Sequence, residues 1–312
     1  MALIVATVLG TVATRAIRWQ LYFLPDRRVP LRPLLSTLTI SYMASTFLPF
    51  RAGELVRAVF LGQRQALAVP RVIGTIVLEK LFDFLAIGVM LAFLVATTPL
   101  PPLALVVGSS IVAVILGGFG FVVVLAVWRT PTLAAVSWAE RSLPLGLGAR
   151  LRLTRAAAQF AEGTDALRVV GLWGPMLGWT AVIWLLSIGT GWAGTQAVGL
   201  PVGLAALTFM TVVTSSGQAV PSSPGYVGVY HGAVVVALAA FGVDRASALG
   251  AAVLTHALSY GPLVLIGLAA LWVGGYGAKD LVGVTQWNGA GRGGGASPVP
   301  PSSGPALPTA NP

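Results

Sequence analysis

Long apolar stretches, each able to bury a helix in hydrocarbon, constrain this chain more than any other feature. Val69 to Ala96 carries only Arg71, Glu79, Lys80 and Asp83 as charged residues, and Pro102 to Trp128 carries none. Val169 to Ala193, Val202 to Val220, Tyr226 to Phe241 and Ala246 to Val273 are four more apolar segments, and Ala2 to Leu24 and Leu34 to Phe50 open the chain. A membrane-spanning helix needs about 20 apolar residues. Charged side chains make up 9% of the chain and apolar ones 56%, whereas an average soluble domain is about 25% charged. A soluble globular protein, a disordered chain and a coiled coil are thereby excluded. The expected fold is all-α: a polytopic integral membrane helix bundle over residues 1–276, with about seven to eight membrane segments including broken or re-entrant helices.

The formal charge of +10 comes from 19 Lys and Arg against 9 Asp and Glu. In a membrane chain such an excess sets orientation and holds the protein to an anionic leaflet, so no nucleic-acid partner is expected. The link from Asp26 to Arg32 holds three arginines and one aspartate, and the polar section from Arg129 to Arg168 holds six arginines and three acids. The links Thr97 to Leu103 and Gly194 to Gly203 are uncharged. The basic links therefore face the cytoplasm and the N-terminus faces outward. For the alternation to hold, the region from Leu34 to Leu67 must enter and leave on the cytoplasmic side.

Arg15 and Arg18, followed by Trp19, Tyr22 and Phe23, read as an arginine and aromatic belt at headgroup level. Within 129–168, Leu153, Ala157, Phe160 and Leu167 recur at helical spacing. They predict an amphipathic helix that either lies on the inner membrane surface or packs under the bundle. From Lys279 onward Gly, Pro and Ser dominate, and residues 277–312 are expected to be disordered.

Two apolar segments are interrupted. In the first, Pro49 removes a backbone donor and Gly53 loosens the chain, which disfavours a continuous helix. If helix resumes after Pro49, Arg51, Glu54 and Arg57 fall three apart, roughly on one stripe. A hairpin dipping into the membrane satisfies the orientation argument; an ordinary cytoplasmic loop is the alternative. In the second, Ser223 precedes Pro224, a good N-cap with proline at the first helical position. A helix from Pro224 to about Phe241 would present free amides at its start, which favour an anion. Ser222, Ser223 and the Gly225 backbone would line that entrance, with His231 less than three turns beyond. Paired interruptions of opposite orientation point to a binding site near the membrane midplane.

Charges inside an apolar helix form the third signal. Glu79 and Asp83 are four apart and share a face, and Lys80 and Asp83, three apart, can pair. Each charge at the bilayer centre costs about 2.5–3.5 kcal/mol on insertion scales, so these side chains should face protein or water. Arg51, Arg57 and Lys80 balance Glu54, Glu79 and Asp83. Three uses remain open for them: ion pairs that exchange partners with a headgroup, a proton relay, or a salt-bridge scaffold.

Other motifs carry little. Gly289 to Gly294 matches G-x-G-x-x-G but lacks the flanking strand and helix. Absent cysteine excludes disulfides, thiolate metal sites and cysteine nucleophiles, and two histidines make no zinc site. No cofactor is expected and no nucleophile–base pair is legible.

The runs Leu48 to Arg57, Glu79 to Asp83 and Pro221 to Val229, with Arg18-Trp19 before them, resemble the lysylphosphatidylglycerol synthase transmembrane, or flippase-like, family. The resemblance covers about Arg15 to Val273. It implies a prokaryotic inner-membrane protein that moves lipids between leaflets, with some members accompanying glycosyltransferases and polyprenyl-linked sugars. Here Lys80 stands where that family usually has arginine, and His231 where it often has an acid. The expected function is thus non-enzymatic translocation of a phospholipid or polyprenyl-linked headgroup, bound through Arg51, Glu54, Arg57, Glu79, Lys80, Asp83, Ser222, Ser223, Gly225 and His231. The alternative is a membrane subunit or regulator of an envelope synthase or glycosyltransferase.

Overall fold

A computed structural model describes residues 1–48, 52–98, 113, 116–124, 126, 128–142, 152–219 and 223–275. These contain ten labelled α-helices: α1 (Ala2–Leu21), α2 (Leu31–Phe47), α3 (Gly53–Gln65), α4 (Val69–Thr97), α5 (Arg129–Ser142), α6 (Leu153–Glu162), α7 (Val170–Ala197), α8 (Leu204–Ala219), α9 (Val229–Ala239) and α10 (Arg245–Val273). Two 3₁₀ turns, Asp165–Arg168 and Pro224–Tyr226, complete them. No strand occurs among the described residues. The glycine- and proline-rich tail lies outside them.

Four helices, α1, α4, α7 and α10, are long and apolar enough to cross a membrane; the helix 116–124 and α5, bent by 86° to each other, would make a fifth if taken as one span. Two hairpins of shorter helices, rather than further full spans, make up the remaining segments that the apolar pattern predicts. α1 packs on α7 and α2 on α10.

The first hairpin joins α2 and α3. At about 1.5 Å per residue, neither its 17 nor its 13 residues reaches across a core of about 30 Å. The Arg27 guanidinium donates to the Gln65 carbonyl at 2.8 Å, so the chain enters and leaves this hairpin at one place. Leu48 ends α2 in extended conformation (φ −93°, ψ 137°), as a residue before proline must. A Cβ on Gly53 would lie 2.2 Å from the Ser41 carbonyl oxygen and the Ser45 Oγ. Glycine is therefore what lets α3 return so closely along α2. Pro49, Phe50 and Arg51 lie outside the described residues.

The second hairpin joins α8 and α9, and it departs from the expected continuous helix after Ser223. Gly225 and Gly228 take left-handed backbone (φ +66° and +88°), which stops propagation after one 3₁₀ turn. Helix resumes only at Val229, with Gly228 as its cap. Ser223 Oγ donates to the Val227 carbonyl at 2.6 Å instead of capping a helix. α9, with 11 residues, is about 16 Å long and cannot cross. Because α7 and α10 both span, α8 starts and α9 ends on the face opposite the first hairpin's entrance. The tips meet: the Gly225 Cα sits where a Cβ would be 3.4 Å from Thr46 Cγ2, near the end of α2.

Below the bundle, α6 packs against the start of α4. A Cβ on Gly74 would lie 2.3 Å from the Phe160 carbonyl oxygen, and one on Gly163 2.2 Å from the Arg71 carbonyl oxygen. Arg129 pins this layer through Asp165 (3.2 Å) and the Ala158 carbonyl (3.2 Å), and Arg71 pairs with Asp26 and Glu162. The amphipathic segment thus resolves as a helix packed on the bundle. Ala166 and Leu167 join Trp19, Tyr22, Phe23, Val72 and Phe82 in one buried core.

Candidate functional site

The site is built from α1, α3 and α4. On α4, Glu79 and Asp83 share a helical face, as their spacing predicts. Opposite them, α1 presents Arg15 and Arg18. Arg15 bonds Asp83 at 2.9 Å and Glu79 at 3.3 Å, and Arg18 Nη2 forms an ion pair with Asp83 Oδ1 at 2.8 Å. From α3, Arg57 reaches Glu79 at 2.6 Å. Every carboxylate of this centre is shared between two guanidiniums. Arg18, Arg57 and Glu79 are buried, with side chains at most 3% exposed.

This corrects the belt reading of Arg15 and Arg18. A guanidinium can leave the headgroup region when a carboxylate waits inside the protein, because the pair keeps charge-assisted bonds that lipid cannot supply. Neighbours hold α1 in that register. Trp19 Nε1 donates to Thr75 Oγ1 at 2.9 Å, and Arg18 donates to Thr180 Oγ1 at 2.9 Å. Arg57 also stacks on Trp19, its guanidinium carbon 3.5 Å from the ring centroid. A second correction concerns Lys80. The expected Lys80–Asp83 pair does not form, since Asp83 is occupied by the two arginines. Lys80 instead bonds Glu54 of α3 at 2.8 Å, both side chains about a third exposed.

A cavity of about 330 Å³ opens beside this network. Its ionic end is lined by Arg15, Glu54, Arg57, Glu79, Lys80 and Asp83. Its other end is uncharged and polar, with Thr214, Ser215, Gln218, Tyr226, Tyr230, Ser259 and Tyr260. Tyr260 donates to Gln218 Oε1 at 2.8 Å. Five predicted residues, Glu54, Arg57, Glu79, Lys80 and Asp83, therefore share one wall. Arg51 and Ser222 lie outside the described residues. Ser223, Gly225 and His231 do not line the cavity: Gly225 packs against Thr46, and His231 Nδ1 accepts from the Gly228 amide at 3.2 Å.

With Arg15 and Arg18 included, the described network holds four cations, Arg15, Arg18, Arg57 and Lys80, against three carboxylates, Glu54, Glu79 and Asp83. The surplus is one positive charge. Such a centre can accept an anion by exchanging partners, because each guanidinium carries further N–H donors in a planar fork beyond those its carboxylates use. The sequence signal for Arg15 and Arg18 was their three-residue spacing on a face that also carries Thr11 and Val8, both on the cavity wall. No group of three or more potential metal ligands occurs among the described residues.

Comparison with known proteins places these features. The chain aligns with glycosyltransferase AglD of Haloferax volcanii at 28% identity over 269 residues, which covers 76% of this chain and 43% of that protein. The chain thus spans less than half the length of this curated relative. No solved structure matches significantly. The family model for the lysylphosphatidylglycerol synthase TM region matches residues 1–267, which include both hairpins and the whole ionic network. This polytopic membrane chain belongs to the lysylphosphatidylglycerol synthase transmembrane-region family.

Proposed function

We propose that this chain translocates a lipid bearing a phosphate-containing headgroup, and that it does so without covalent chemistry, in the cytoplasmic membrane of a prokaryote. The observation that supports this reading most is the cavity with an ionic wall inside an apolar bundle. Charges of this kind in a membrane interior mark substrate paths, and broken helices at depth are tolerated where they line a wet cavity. In this reading Arg15, Arg57 and Lys80 contact phosphate oxygens. Glu54, Glu79 and Asp83 hold those cations when the site is empty, and the uncharged polar end receives the remainder of the headgroup. Acyl or prenyl chains stay in lipid.

A second reading is a membrane subunit that supports an envelope glycosyltransferase. It is favoured by the alignment with a protein named as a glycosyltransferase, over less than half of that protein's length. Native mass spectrometry of the purified chain tests the ionic wall. Under the translocase reading, a phosphate-bearing lipid is retained by the chain and lost in Arg57→Ala/Lys80→Ala. Retention of the same lipid by the double variant would remove the ionic wall as the binding site.

A further inference from the structure

Both histidines of the chain stand at the tip of the second hairpin, on different helices, with ring centroids 4.9 Å apart. On α9, His231 Nδ1 accepts the Gly228 amide at 3.2 Å. On α10, His256 Nε2 donates to the Gly225 carbonyl at 2.9 Å. Each ring therefore holds one of the two left-handed glycines that shape the tip. The partners fix the neutral tautomers. A carbonyl only accepts, so His256 carries its hydrogen on Nε2 and a lone pair on Nδ1. An amide only donates, so His231 Nδ1 is bare and its hydrogen sits on Nε2.

These tautomers make the two rings unequal toward a proton. A proton entering at His256 Nδ1 leaves the bond to Gly225 intact and makes it charge-assisted. A proton entering at His231 Nδ1 removes the acceptor of the Gly228 amide and strands that donor. Two charged rings at this separation would also repel strongly away from water. The His256 ring is flanked by Tyr260 at 4.5 Å and Tyr230 at 5.3 Å, and Tyr230 also meets the His231 ring edge-on at 6.0 Å. Other ionisable groups on the packed elements are few. α7 and α8 carry none. α1 brings Arg15 and Arg18 and α2 brings Tyr42; Arg15 and Tyr42 are on the cavity wall, Arg18 is paired with Asp83, and the tip itself brings Tyr226. Arg32 and Arg245 lie at the far starts of α2 and α10.

We propose that His231 and His256 form a proton-binding site that holds a single proton on His256, and that its occupancy tightens the grip of α10 on the hairpin tip. Tyr226, Tyr230 and Tyr260 line the cavity, Tyr230 and Tyr260 also meet the His256 ring, and Gly225 abuts Thr46 of the other hairpin. The proton thus acts where the two hairpins meet. This inference stands on ring geometry and not on what fills the cavity, so it survives or falls apart from the lipid reading.

The test uses the full chain in phospholipid nanodiscs with ¹⁵N-labelled histidine, observed by NMR from pH 8 to pH 5, a range spanning the ordinary histidine value of about 6.5. One imidazole should titrate, and its signal should vanish in His256→Gln. In parallel, spin labels at Phe47→Cys and Val227→Cys, both exposed positions, report the tip-to-tip distance. That distribution should narrow on acidification in the parent and stay unchanged with pH in His256→Gln. Persistence of the titrating signal in His256→Gln, titration of no imidazole in the parent, or a tip distance indifferent to pH in the parent would each overturn the proposal.

Discussion

The guanidinium carbon of Arg57 lies over the Trp19 ring, 3.5 Å from its centroid, while its Nη2 bonds Glu79 at 2.6 Å. One residue of the first hairpin thus locks α1 and α4 together at the ionic end of the cavity. The two exposures differ sharply along this wall: Arg57 and Glu79 are buried, Lys80 and Glu54 are about 30% exposed. The stability effects should differ accordingly. Glu79→Ala leaves Arg57 and Arg15 short of a counter-charge and should cost about 3–5 kcal/mol. Lys80→Ala, in a partly wet pair, should cost less than about 1 kcal/mol. Unfolding in detergent, followed by near-UV circular dichroism, checks the order; equal losses would show that the two pairs are equally solvated.

Close helix packing makes a second prediction. At Gly53 and Gly74 a Cβ would collide with backbone of a neighbouring helix, at 2.2 and 2.3 Å. Gly53→Ala and Gly74→Ala should each destabilise by about 1–3 kcal/mol or more. Gly88 on the same helix as Gly74 has open space around it, so Gly88→Ala should be neutral or stabilising by up to about 1 kcal/mol. Thermal midpoints of the three variants give the answer, with Gly88→Ala as the internal control.

Opposed hairpins predict a labelling pattern. The chain has no cysteine, so single cysteines report cleanly. Arg28→Cys and Gln63→Cys flank the first hairpin, and Val198→Cys and Arg245→Cys flank the second. An impermeant maleimide should reach the first two from one face and the last two from the other. Should Gln63→Cys label from the face opposite Arg28→Cys, the segment between them crosses the membrane once instead of turning back.

Asp244 supplies a pH dependence at the start of α10. Its Oδ1 accepts the Ser247 amide at 2.9 Å, and that bond holds its carboxyl below the ordinary aspartate range. A depressed folded value means the cap acts above the ordinary value of about 3.9 and fades as pH falls through the folded one. Near pH 7, Asp244→Ala should speed amide exchange at Ala246 to Ala248, and the difference should shrink at the acidic end of the exchange range. A constant difference across that range would mean the cap is not ionic.

Much of this architecture was legible in the residues. Charge-poor stretches marked the spans, Pro49 and Gly53 marked the first hairpin, and the i, i+4 spacing placed Glu79 and Asp83 on one face. Five of the predicted site residues meet on one wall. What escaped was whatever depended on a partner far along the chain. Arg15 and Arg18 looked interfacial because only the fold brings Asp83 against them, and Lys80 looked paired with Asp83 because local spacing says nothing of Glu54 on the next helix. Ser223 looked like an N-cap because the Ser-Pro dipeptide says nothing of the positive φ at Gly225 and Gly228 or of Gly225 packing against Thr46. The paired histidines, on separate helices, had no local signal of their proximity.

The central claim is that a lipid headgroup passes through the ionic end of the cavity. Scrambling of a fluorescent phospholipid across reconstituted vesicles, read by dithionite quenching, tests it most directly. Parent protein should raise the inward-facing pool's exchange well above protein-free vesicles, and Arg15→Ala/Lys80→Ala, checked for folding, should bring it back to the protein-free rate. Exchange by the double variant at the parent rate would contradict the account.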